Sequence, residues 1–392
     1  MSRVKLVGGR PITAEEAIDI RQTVFGSASS PPRGEWTRTG LVFSKDGYTF
    51  GLKCPKNATR GLQSVIQAFL IKHFIFENRP KEKSIPIEKL LKPSESEQIC
   101  ALWTCMSEII WNIGEKKKAI VVLPCDTPQP PISHTNQYFQ DNITEKLHIF
   151  EFHKLDDLQI FMKRYLFFFT DDSSPGALLL LYSAVWTRGF ENVRADMDLK
   201  KSGHLLGNHE EGSLNVITLL LSGRATPYLH NGVIYVGDED HYALPQFGIL
   251  CRSGVGLLIW DGEGATLTTR QPGSRLKTPA FPIWITCCTG HYGVIFNSNK
   301  ELLRNYHAEK RFELHHYTCG NLFLSMTVDN RNQDDEDGYS SQKMPNPNNK
   351  CDFKENDALS IQISPLEKLI RTKWCDAKIT FHHQVEQMKL ML

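Results

Sequence analysis

Two short segments of this chain combine residue types that could make and break bonds. The first, Gly51-Leu-Lys-Cys-Pro-Lys-Asn-Ala-Thr-Arg-Gly61, leads from a loop into a strongly apolar helical pattern. A cysteine at such a junction gains from unpaired amides and the positive end of the helix dipole, which lower its pKa and favour the thiolate. The second, Phe281-Pro-Ile-Trp-Ile-Thr-Cys-Cys-Thr-Gly-His-Tyr-Gly-Val-Ile-Phe296, reads as strand, turn and strand, with His291 entering the second strand. A thiol and an imidazole brought together from distant segments are the nucleophile and base of thiol hydrolysis. The candidate residues are Cys54 and Arg60 in the first segment and His291 in the second.

Other clusters carry less. Cys287-Cys288 and Cys100 with Cys105 lack the two-residue spacing of zinc knuckles, and His204, His209 and Glu210 do not make a zincin pattern. Asp334-Asp335-Glu336-Asp337 lacks the ligand spacing of a calcium loop. Gly254-Val255-Gly256 runs into an apolar stretch rather than a helix start, so it is weak as a phosphate loop. No metal and no cofactor is expected.

The elements that must position the candidates are signalled locally. Thr13 with Glu16 and Ser94 with Glu97 are capping boxes, and the helices they open should stop at Gly26 and Gly114. Leu62, Val65, Ile66, Phe69, Leu70 and Phe76 recur at intervals of three and four, predicting a helix central to the core. Further helices fit 156–168, 175–188 (capped by Ser174 and closed by Gly189) and 213–221. Asp46-Gly47 between 40–43 and 48–52 predicts a hairpin. Strands fit 119–123, 233–236, 283–287, 292–296 and 312–317. Residues 124–147 read as a variable loop, and 329–358, rich in Asn, Asp and Pro, as a disordered insertion within a single domain spanning 1–392.

Composition narrows the partners. With 45 basic against 44 acidic residues, no overall field favours nucleic acid or an anionic membrane. The most apolar stretch, 177–186, is far short of the roughly 20 residues a membrane span requires. The amino terminus does not read as a secretory signal, and ten cysteines without regular spacing fit a reducing compartment, so the cytosol or nucleus is expected.

The two chemical segments resemble the MINDY deubiquitinases, which hydrolyse lysine-48-linked polyubiquitin. In that family the junction reads Gly-Leu-Val-Gln, then a short variable stretch, Gly-Pro-Cys, and an apolar helix containing Gln-Ala-Phe-Leu. Here Gly51-Leu52 and Gln67-Ala68-Phe69-Leu70 match on either side. Further islands keep the same order, among them Leu219-Leu-Leu-Ser-Gly-Arg-Ala225, Phe281-Pro-Ile-Trp284 and Ile370-Arg-Thr-Lys-Trp374.

The resemblance implies an α+β, papain-like arrangement in which a long helix carries the junction and a β-sheet carries the histidine. It puts His291 at the family's catalytic base, Arg60 at the nucleophilic cysteine and Cys54 at the oxyanion glutamine. A guanidinium stays protonated and is no nucleophile. The implied protein is therefore a pseudoenzyme, nearest to an inactive form within the family, that binds ubiquitin or lysine-48-linked chains without cutting them. Two alternatives stay open: an active enzyme using Cys54 with His291, and an interaction protein without ubiquitin contact. Arg60 could also offer its planar fork to the free carboxylate of ubiquitin.

Overall fold

The computed structural model describes residues 6, 8–45, 47–77, 85–125, 132–197, 203–207, 211–237, 244–262, 271–331 and 364–382. A short strand β1 (Arg10–Pro11) precedes helix α1 (Ala14–Phe25). The Thr13–Glu16 capping box is fully formed, and Gly26 ends the helix in the left-handed conformation at φ 81°. After a single turn α2 (Gly34–Thr37), the expected hairpin is reduced to one bridge between Phe43 and Leu52. That segment instead runs into α3 (Arg60–Lys72), which continues through a π-helical turn at His73–Glu77.

A short α4 (Ile87–Leu90) leads to α5 (Glu95–Ile113), again opened by a complete capping box at Ser94 and Glu97. Strands β2 (Ala119–Pro124) and β3 (Leu147–Phe152) pair with β1 in the order β1-β3-β2, leaving β2 at an edge. The helix expected at 156–168 divides into α6 (Leu155–Arg164) and α7 (Phe167–Thr170), parted at Tyr165 and Leu166. Next comes α8 (Gly176–Arg188). Its hydroxyls cover the edge of β2: Ser183 accepts the Val122 amide at 3.0 Å and Thr187 the Ile120 amide at 2.9 Å. Ser174 does not cap this helix, because its buried hydroxyl has no hydrogen-bond partner.

Helices α9 (Phe190–Asp196) and α10 (Leu214–Ser222) precede a two-stranded ribbon, β4 (Val233–Val236) with β5 (Leu244–Phe247). The remaining strands are β6 (Gly256–Trp260), β7 (Ile283–Cys288), β8 (His291–Phe296), β9 (Arg311–Tyr317), β10 (Phe323–Asp329) and β11 (Lys378–His382). They form one six-stranded sheet, ordered β11-β10-β9-β8-β7-β6, with only β6 and β7 parallel. Helices α11 (Ser274–Lys277) and α12 (Pro365–Arg371) complete the described fold. Asp329 closes β10, and beyond Arg331 the expected insertion lies outside the described residues.

Alternation along the strands divides the core. Ile283, Ile285, Val294 and Phe296 join the larger cluster that includes α3, α5 and α8, whereas Trp284, Ile295, Leu314 and Met326 pack with Leu369, Ile370 and Trp374. His316, on β9, is buried, and burial pushes its pKa down to about 4. The unfolded chain then takes up a proton near pH 6.5 that the folded one refuses, so stability present above that pH is lost as pH falls towards 4. The expected loss is about 3 kcal/mol at pH 4 relative to neutrality. Urea midpoints across that range should fall less steeply in His316→Leu than in the wild type; parallel curves would remove His316 as the cause.

Candidate functional site

All thirteen residues of α3 are buried, so its polar side chains must find partners inside the protein. Two glutamines bind the preceding chain. Gln67 accepts the Leu52 amide at 2.8 Å and donates to the Phe50 carbonyl at 3.0 Å, while Gln63 donates to the Lys53 carbonyl at 3.2 Å. Gly51 lies against Tyr317, whose hydroxyl would be 2.0 Å from an added Cβ. The family-like Gly51-Leu52 flank is thus held by close backbone approach and amide clamping. Asn57 then receives the Thr59 amide and hydroxyl at 3.0 and 2.7 Å, turning the chain into the helix.

Arg60 is the first helical residue, and its side chain folds back over the junction. Nε donates to the Pro55 carbonyl at 3.2 Å, Nη2 to the Cys54 carbonyl at 2.9 Å, and Nη1 to Glu211 Oε1 at 3.4 Å. Its side chain and that of Glu211 are 7% and 6% exposed. A cation at a helix amino terminus is unfavourable by about 0.3–1 kcal/mol. A buried carboxylate beside it offsets that cost and lets the charge sit inside.

Glu211 lies just ahead of α10 and gathers both chemical segments. Its backbone carbonyl accepts the Gly61 amide at 2.8 Å, so a first-turn amide of α3 is already occupied. Its Oε1 meets His291 Nδ1 at 3.1 Å and its Oε2 accepts the Tyr292 amide at 3.4 Å. Against a carboxylate, Nδ1 must be the protonated nitrogen, which leaves Nε2 as the basic one. His291 opens β8 after a tight turn in which Thr289 and Gly290 both have positive φ, 48° and 84°. Its imidazole is 60% exposed.

Hydrogen bonds therefore run from the Cys54 carbonyl through Arg60 and Glu211 to His291. The Cys54 thiol takes no part in that series. It is buried, and its pKa is raised well above the ordinary thiol value, first by its hydrogen bond to Cys319 and then by burial. Arg60 has all three fork positions engaged within its own chain, so the carboxylate it binds is Glu211. A cavity of about 680 Å³ opens beside the junction, lined by Lys53, Cys54, Lys56, Arg60 and Cys319 among others.

Neither Glu211 nor Cys319 carries a local signal in the sequence. Both reach the site from far along the chain, 151 and 255 residues from the α3 side chains they bond, and no local pattern marks such a partner.

A buried helix start and a strand-borne imidazole joined through one acid belong to a mixed α/β protein with several sheets. The family described as "Deubiquitinating enzyme MINDY-3/4, conserved domain" matches residues 21–383, and the chain belongs to it. Among curated relatives it is 29% identical over 382 residues to "Probable ubiquitin carboxyl-terminal hydrolase MINDY-4" of Xenopus tropicalis, covering 97% of this chain and 47% of that protein. The human protein of the same name is 28% identical over 378 residues, covering 95% and 46%. Human "Ubiquitin carboxyl-terminal hydrolase MINDY-3" is 24% identical over 307 residues, covering 73% and 66%. The chain thus spans about half the length of the MINDY-4 relatives it matches. No solved structure matches it. No described helix is long and apolar enough to cross a membrane.

Proposed function

We propose that this chain is a catalytically inactive member of the family, nearest to the inactive B form of the fourth MINDY member, that binds lysine-48-linked polyubiquitin without cleaving it. The observation that carries the reading is Arg60. At the position the resemblance gives to the nucleophile stands a buried guanidinium bonded to two carbonyls and Glu211. Occupation of the Gly61 amide by the Glu211 carbonyl supports it further, since an oxyanion needs free donors. The same reading takes residues 1–392 as one papain-like domain acting inside the cell, with 124–147 a variable loop and 329–358 an insertion.

Two other readings compete. An active enzyme would use Cys54 with His291, and the burial and raised pKa of that thiol weigh against it. An interaction protein without ubiquitin contact would keep the scaffold alone. Immobilised protein should retain lysine-48-linked chains in preference to lysine-63-linked ones and leave them intact. Failure to retain either linkage at high protein concentration would favour the third reading. A ubiquitin-based thiol probe should leave the protein unlabelled; labelling abolished by Cys54→Ala would establish the second.

A further inference from the structure

Cys54 and Cys319 line the same cavity and their thiols shift each other's pKa, although they come from the junction before α3 and the turn between β9 and β10. Both are buried, at 7% and 2% exposure, yet both line the cavity of about 680 Å³ beside the junction. Ser64, in the first turns of α3, directs its hydroxyl at the Cys319 sulfur from 3.6 Å. Cys319 itself holds a left-handed backbone, φ 56°, uncommon for a residue with a side chain. The two cysteines thus line one open cavity, and the Arg60 guanidinium bonds to the Cys54 carbonyl beside it.

Four of the cavity's lining side chains are cationic, Arg38, Lys53, Lys56 and Arg60, against one acid, Asp172. Arg38, Lys53 and Lys56 are exposed and make no ion pair among the described residues. Such a lining concentrates small anions.

We propose that Cys54 and Cys319 form a reversible disulfide by exchange with a small anionic disulfide, of the glutathione disulfide class, admitted through this basic cavity. The Cys319 thiolate attacks one sulfur of the reagent; the S–S bond breaks, a new one forms to Cys319, and one glutathione thiolate leaves and takes a proton from water. Cys54 then attacks the Cys319 sulfur of that mixed disulfide, and its proton goes to the second departing glutathione. Two electrons pass from the protein dithiol to the reagent, giving one protein disulfide and two thiols. The order of attack follows from the environment. The hydrogen bond from Cys54, with Ser64 and Arg60 adding to it, lowers the Cys319 pKa against the opposing effect of burial, whereas that of Cys54 is raised. The inference does not depend on ubiquitin binding.

The test is non-reducing peptide mapping of the folded protein after exposure to glutathione disulfide. A linked peptide containing positions 54 and 319, with a mass loss of about 2 Da that dithiothreitol reverses, is expected. Cys54→Ser should stop at a glutathione adduct on Cys319, and Cys319→Ser should leave Cys54 unmodified. Exposed Cys100 and Cys251 serve as internal controls for reagent activity. Adducts on those two without the 54–319 link would overturn the proposal, as would a link that appears only in urea. Lys53→Gln with Lys56→Gln should slow linkage by glutathione disulfide about threefold or more while sparing a neutral disulfide such as hydroxyethyl disulfide. Equal slowing of both, or of neither, would overturn the cavity's part.

Discussion

Arg60→Cys combined with Cys54→Gln is expected to release ubiquitin from lysine-48-linked chains at a rate about a hundredfold or more above the wild type. Loss of a nucleophile and of an oxyanion donor multiplies to many orders of magnitude in a hydrolase, so restoring both leaves ample room for a measurable gain. On the proposed reading the base needs no rebuilding. His291 already has Nδ1 seated on Glu211, and that carboxylate would remain bonded to the Tyr292 amide after Arg60 is gone. A thiol at position 60 would also sit at the positive end of α3. Neither single substitution should match the pair. An inert double variant that keeps wild-type melting behaviour would show that the register from Gly51 to Arg60 is misassigned.

Arg60→Met should be costly on its own. It removes the cation paired with a carboxylate that is 6% exposed, and it strips donors from the carbonyls of Cys54 and Pro55. Breaking one side of a buried pair typically costs about 3–5 kcal/mol, and the remaining contacts of Glu211 to His291 and the Tyr292 amide favour the lower end, about 3 kcal/mol. Replacing both members, Arg60→Met with Glu211→Leu, should recover about half of that loss, because no charge is left stranded. Denaturant titration of the three variants reads this directly. A single variant as stable as the wild type would mean that the pair is solvated rather than structural.

The parts of the fold readable in the sequence were those set by neighbours a few residues apart. Thr13 with Glu16 and Ser94 with Glu97 cap real helices because a capping box closes within one turn. Gly26 closes its helix in the left-handed conformation for the same local reason. Strands were harder, since pairing partners lie far away. β1, β3, β5, β6, β10 and β11 have no expected counterpart, and Gly256, part of a weak glycine loop in the sequence, opens β6, which lies parallel to β7. The 40–52 hairpin survives only as the antiparallel bridge between Phe43 and Leu52, and Asp46 of its turn lies outside the described residues. The Ser44 and Lys53 amides bond across to the Gly51 and Val42 carbonyls, but the Leu52 amide is taken by Gln67, so no longer ladder forms.

The site divides similarly. Helix and strand brought Arg60 and His291 to the same carboxylate, as their placement at a helix start and a strand start implied. What joins them, Glu211, has no signature in a stretch where neighbouring histidines drew attention to metal patterns instead. Cys319 is invisible for the same reason, because only the closing of β9 onto β10 brings it to Cys54.

Incubation of the purified wild-type protein with long lysine-48-linked ubiquitin chains tests the central claim most directly. Intact chains after prolonged incubation, at enzyme-like and at stoichiometric protein concentration, are the predicted result. Efficient cleavage that thiol alkylation blocks and His291→Ala abolishes would contradict it, because a buried guanidinium at position 60 supplies no electron pair for attack.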